Sequence, residues 1–145
     1  MHGDPIWKPS HESLTETNLT AFQVYVNKKY QLNHSTYNHL HTWSINYPSD
    51  FWGSIIEFNS VIYEGSLSPG IKGEMKMPGT HWFPNMKLNF AQNLLRNNSD
   101  SIAIESHRED GTTLEISYKE LNQKVKSCTK YLKSVGVTHG DRVAA

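Results

Sequence analysis

The chain has 145 residues, enough for one ordinary domain with a sizeable core, and its 14 Lys/Arg are matched by 14 Asp/Glu for a net charge of zero. The balance holds locally, with seven residues of each sign in 1–97 and seven of each in 98–145, so neither part offers the basic footprint of a nucleic-acid binder or an anionic-membrane binder. A single cysteine, Cys128, excludes an internal disulfide framework and fits a reducing, cytoplasmic setting. The N-terminus has no basic-then-apolar leader, and no run approaches the ~18 apolar residues of a spanning helix.

In chain order, Trp7-Lys8-Pro9-Ser10 is expected to be an extended segment pinned by its Trp onto a neighbouring surface. From Asn18, residues Leu19, Phe22, Val26 and Tyr30 fall on one helical stripe, with Lys28 and Lys29 in the last turn where cations suit the dipole. A second helix is expected from about Ser35, carrying Tyr37, Leu40 and Trp43 and ending before Pro48. Ser49 and Asp50 offer caps to a third, the most apolar, with Phe51, Ile55, Phe58 and Ile62 on one face, flanked by Trp52 and Ile56. Gly65 to Gly79 reads as loop.

Beyond Arg96 the apolar period changes from helical to alternating. Ile102 and Ile104 on one side of Asp110-Gly111, and Leu114 and Ile116 on the other, predict a β-hairpin with one buried face. Ser117-Tyr118-Lys119-Glu120 is a capping box. The helix it opens has an apolar stripe of Leu121, Val125, Cys128, Leu132 and Val135, a lysine-rich wet face, and Gly136 as its left-handed stop. Arg142-Val143-Ala144-Ala145 is expected to start a further strand and the natural protein to continue beyond it. The fold class is thus α+β leading into α/β: a helical segment, a hairpin, a helix and the first strand of a larger sheet.

No constellation for chemistry emerges. Gly136-Val137-Thr138-His139-Gly140 has the residue types of a phosphate loop, but it follows a helix instead of opening one. His34, His39 and His41 have no Cys or paired carboxylate beside them, and positions two apart face different ways on a helix. His81 and His139 are lone residues. Cys128 sits on an apolar stripe without an adjacent base and reads as a core residue, and Trp7, Trp43, Trp52 and Trp82 read as packing. The Asn-x-Ser/Thr triplets at Asn18 and Asn33 carry no weight without a secretory leader. The expected catalytic, cofactor-binding and metal-binding residues within this chain are therefore none.

Trp82-Phe83, followed by Leu88-Asn89, Ala91 and Asn93-Leu94-Leu95-Arg96, resembles a signature of the acyl-CoA synthetases in the adenylate-forming superfamily, at the junction of their N-terminal segment and AMP-binding domain. Ile116 to Leu121 is similar to the family's Thr-Tyr-x-Glu-Leu helix start, and Leu132 to Ala144 to its Leu-Gly-Val-x-x-Gly-Asp-Arg-Val segment. Trp7 to Ser10, His41 to Ser44, Ser49 to Trp52 and the Asn-Leu-Leu-Arg ending resemble the acetoacetate-specific branch. Two residues depart from the pattern: Asn85 stands where Gly is frequent, which Asn can replace at positive φ, and Gln92 stands where Glu is common, a tolerable change at a surface position.

The resemblance implies residues 1–97 as an N-terminal segment and 98–145 as the beginning of an AMP-binding domain. It implies a parent enzyme that uses ATP, Mg²⁺ and CoA to convert acetoacetate through acetoacetyl-AMP to the thioester, with every catalytic and ligand-binding motif downstream. By it the fragment is structural and inactive; its charge balance argues for no nucleic acid or membrane as partner, and its unpaired sheet edges make self-association an expectation. Acetyl- or propionyl-CoA synthetase, or a non-enzymatic helical interaction module, are the alternatives. The Trp82–Arg96 stretch is expected to clamp the two parts through Trp82, Phe83, Leu88, Leu94 and Leu95, its asparagines satisfying backbone groups.

Overall fold

Hydroxyl caps set the helix starts at the N-terminal end of the chain. The computed structural model describes residues 6–144, and of His11 the backbone alone. Ser10, Thr17 and Thr36 each accept a hydrogen bond from the backbone N–H three residues on, opening α1 (His11–Thr15), α2 (Asn18–Tyr30) and α3 (Tyr37–Asn46). The fourth helix, α4 (Pro48–Phe58), starts differently from expectation: its cap is Tyr47, with no side-chain bond, and Pro48 occupies the first turn. Proline's fixed φ suits that position and its missing N–H is one that no helical partner would take, so the start precedes the expected Ser49 and Asp50.

The α2 stripe buries Phe22 and Val26, and α3 buries Leu40 and Trp43; these four form the core, with Tyr25, Tyr30, Leu32, Phe51, Ile55 and Phe58 packed against them. Ring edges interlock, Phe22 meeting Phe58 at 5.3 Å and Phe51 at 5.9 Å, and Trp43 meeting Phe51 at 6.1 Å between centroids. Each fully buried side chain of this kind is worth about 1.5–3 kcal/mol. The α2–α3 turn is tied down by amides of α2: Gln23 Nε2 and Asn27 Nδ2 donate to the His34 carbonyl at 2.7 and 2.8 Å, and Asn27 Oδ1 accepts the His34 N–H at 3.0 Å.

Several expectations at the margins of this core fail. Ile62 lies beyond the end of α4 and is exposed, as are Leu19, Tyr37 and Trp52. Trp7 is 76% exposed and so is not pinned onto a surface among the described residues; the residues after it form α1, too short for a periodic signal. The expected Gly65–Gly79 loop carries strands. β1 (Glu64–Gly65), β2 (Ile71–Lys72), β3 (His81–Trp82) and β4 (Met86–Lys87) make two nested antiparallel ladders, β1 with β4 and β2 with β3. Gly65 pairs with Met86 at φ +91, where an added Cβ would stand 2.1 Å from the Asn85 carbonyl oxygen.

The chain divides into two compact units between Leu88 and Asn89. The second begins with α5 (Phe90–Leu94), capped by Asn89, whose Oδ1 accepts the Gln92 N–H at 3.1 Å. The hairpin of β5 (Ile102–His107) and β6 (Thr113–Ser117) is antiparallel as expected, Ile104 opposite Ile116, with a bulge after Ile102. Its turn is closed by Arg108 N–H on Thr112 O and by Thr112 N–H on Asp110 Oδ1 at 2.9 Å each. The capping box forms as read: Glu120 Oε2 accepts the Ser117 N–H at 2.9 Å and Ser117 Oγ accepts the Glu120 N–H at 3.2 Å.

It opens α6 (Tyr118–Ser134), which ends in a Schellman motif, Val137 N–H on Leu132 O and Gly136 N–H on Lys133 O. Two expectations are corrected here. Cys128 is exposed, not core: α6 is about 25 Å long, and along its stripe only Leu121, Val125 and Leu132 are partly covered. Residues 141–144 form no strand among the described residues, since a strand exists only by pairing and no partner ladder lies beside them there. The hairpin's Ile102, Ile104 and Leu114 are exposed as well.

Candidate functional site

The richest polar constellation in the first unit joins α2 to α4. Glu57 Oε2 receives the Tyr25 hydroxyl at 2.7 Å and the Lys29 ammonium, and Lys29 Nζ lies 5.8 and 5.3 Å from the Tyr25 and Tyr30 ring centroids. Ser54, fully buried, donates to the Tyr30 hydroxyl at 3.1 Å. The hydrogen bonds from Lys29 and Tyr25 hold the Glu57 carboxyl below its ordinary value. Burial pushes the Tyr25 phenol up, helped by Glu57. At Lys29 burial is the largest single influence and acts to lower the ammonium, but the Glu57 hydrogen bond together with the charges of Tyr30, Glu57 and Tyr25 outweighs it and the net direction is up. A cleft of about 270 Å³ opens beside this node, lined by Lys29, Tyr30, Asp50, Glu57 and Phe83 among others.

That arrangement is a cross-brace between helices. Lys29 and Glu57 are each other's partners, and no base stands beside a nucleophile. The His34 and His39 rings are 6.3 Å apart and His41 stacks on Tyr37 at 6.0 Å. No group of three His, Cys, Asp or Glu that could hold a metal occurs among the described residues. The Gly136–Gly140 segment is a helix stop followed by a turn in which Asp141 Oδ2 accepts the Thr138 N–H at 2.6 Å. That bond, with the Thr138 hydroxyl, holds the Asp141 carboxyl down.

The central stretch needs correction. Asn85 is not at positive φ; Phe83 is, at +42, and Asn85 uses its Nδ2 to hold the Ser68 carbonyl at 2.9 Å. Of the expected apolar clamp only Phe83 is buried, in the first unit, where its N–H donates to Gly70 O at 2.8 Å; Trp82, Leu88 and Leu94 are exposed. The unit boundary falls within the stretch. The asparagines do satisfy backbone groups, Asn89 as the α5 cap and Asn93 Nδ2 on Asn89 O at 3.0 Å, and Gln92 is exposed.

A four-helix entry segment, a hairpin and an N-capped helix in this order match the N-terminal part of the adenylate-forming fold. Known proteins share this arrangement. An acetoacetyl-CoA synthetase from Streptomyces lividans superposes with a TM-score of 0.89 at 28% identity, over 97% of this chain and 22% of that one. An acetoacetyl-CoA synthetase of Xenopus tropicalis is 30% identical over 99% of this chain and 22% of its own length. A malonamoyl-CoA synthetase of Penicillium aethiopicum is also 30% identical, over 96% of this chain and 20% of its own length. No protein-family model matches. The chain is similar to the N-terminal part of acetoacetyl-CoA synthetases and spans about a fifth of the length of the relatives it matches.

Proposed function

We propose that the protein containing this chain is an AMP-forming acid–thiol ligase that makes acetoacetyl-CoA from acetoacetate, ATP and CoA by way of acetoacetyl-AMP. The observation that supports it is similarity to acetoacetyl-CoA synthetases across nearly the whole chain, in sequence and in fold. Residues 1–97 serve as the helical N-terminal segment and 98–145 as the beginning of the AMP-binding domain. Among the described residues no glycine-rich turn leads into a helix where phosphates or Mg²⁺ would be cradled, and no step through ATP, Mg²⁺ or CoA is assigned to them. Their part is scaffolding. The setting is the cytoplasm, and no helix among the described residues is long and apolar enough to cross a membrane.

The test is pyrophosphate release by the product of the complete reading frame, offered acetoacetate, malonamate, acetate, propionate and butyrate. Acetoacetate should give the highest kcat/KM. Preference for malonamate would move the assignment to the second relative's chemistry, and preference for acetate or propionate to the short-chain branch. The isolated 145 residues should release no pyrophosphate and bind neither ATP nor CoA in calorimetry.

A further inference from the structure

The loop between β2 and β3 holds two methionines in water. Met77 is 100% exposed and Met75 62%, whereas Met86, in β4, is partly buried. The loop is pinned from within: Thr80 Oγ1 lies 2.7 Å from Glu74 O and 2.9 Å from Lys76 O and accepts the Lys76 N–H at 3.0 Å, while Lys76 Nζ pairs with Glu74 at 2.6 Å. Both thioethers therefore stand outward on a braced turn. They line a groove of about 590 Å³ together with Pro78 and Trp82, and the Trp82 ring meets the Trp52 edge at 6.3 Å.

From this geometry we propose that Met77, and after it Met75, is an oxidative modification site, converted by peroxide to methionine sulfoxide ahead of Met86. A thioether needs no deprotonation to react; its rate follows access to the sulfur lone pair. The lone pair attacks one peroxide oxygen and the O–O bond breaks. That oxygen stays on sulfur as the sulfoxide, and the other leaves as water with both protons. Sulfur loses two electrons and the peroxide gains them. The product places a strong acceptor in an apolar groove against Trp82, turning a soft, greasy loop into a polar one. A reductase of the methionine sulfoxide class restores it.

The experiment treats the chain with hydrogen peroxide in a Cys128→Ser background, which removes the exposed thiol, and follows Met75, Met77 and Met86 by peptide mass spectrometry. Met77 should oxidise at least about tenfold faster than Met86, with Met75 between them, as access dictates. In urea the three rates should converge, and methionine sulfoxide reductase should return the native mass. Equal rates for Met77 and Met86 in the folded chain would overturn the proposal. A rate difference that survives in urea would also overturn it, because local sequence and not the braced loop would then set the order.

Discussion

Gly65→Ala should be the most damaging small substitution in the first unit. Gly65 sits at φ +91, and an added Cβ would stand 2.1 Å from the Asn85 carbonyl oxygen, where real Cβ atoms keep at least 3.0 Å. The left-handed backbone costs alanine about 1–2 kcal/mol. Relief of the clash needs roughly 0.9 Å of separation between β1 and the turn before β4. That strains the Ser66 N–H bond to Asn85 O, 3.0 Å long, and the Asn85 Nδ2 bond to Ser68 O, 2.9 Å long, each worth about 1 kcal/mol. The expected loss is about 3–4 kcal/mol.

Gly73→Ala is the control, at the same φ of +91 but with its nearest neighbour, Gly79 O, at 3.1 Å; it should cost only the backbone term, about 1–2 kcal/mol. Every tryptophan lies in the first unit, so urea unfolding followed by selectively excited tryptophan fluorescence reads that unit alone. Midpoints placing the two variants within about 0.5 kcal/mol of each other would show that the clash is absorbed, and the reasoning would fail.

Asn89→Ala removes the α5 cap and should cost about 1 kcal/mol locally, seen as roughly fivefold faster hydrogen exchange at Gln92, with no change in the acyl preference of the proposed full-length ligase; an altered preference would place Asn89 at substrate. The Glu57 node is pH-dependent in two windows. Its carboxyl is held down, so that stability is present above the ordinary value of 4.5 and lost as pH falls through and below it. Tyr25 and Lys29 are held up, so theirs is present below 10.0 and 10.5 and lost as pH rises past those values. Glu57→Gln should flatten the acid limb of a thermal-unfolding profile, and an unchanged limb would count against the node. Ser117→Ala should lower stability of α6 by about 1 kcal/mol, measurable as lost helical dichroism on mild heating.

What the sequence disclosed and what it hid follow one physical divide. Helices α2 and α3 and the hairpin were legible because their order is periodic: Phe22 and Val26 repeat at four, Leu40 and Trp43 at three, Ile104 and Ile116 at alternation across a turn. The Ser117–Glu120 box was legible because it is local chemistry. Two-residue strands have no period, so β1 to β4 were invisible, and Gly65 and Gly79 read as loop when Gly65 is a ladder position. Cys128 was misplaced because a stripe tells which face is apolar and not whether anything covers it. The Lys29–Glu57–Tyr25 node spans 32 residues with no spacing signal; only the fold brings it together.

One of the amides that tie the α2–α3 turn, Asn27, makes that turn sensitive to deamidation. Asn27 donates to the His34 carbonyl and accepts from the His34 N–H with one planar group. Slow hydrolysis of that amide to a carboxylate, the chemistry by which stored proteins age, keeps the acceptor and deletes the donor. Oxygen then faces oxygen, with only Gln23 still holding the carbonyl. Asn27→Asp reproduces the aged state at once and should loosen the turn, with faster exchange at the His34 amide; an unchanged exchange rate would mean that Gln23 alone suffices.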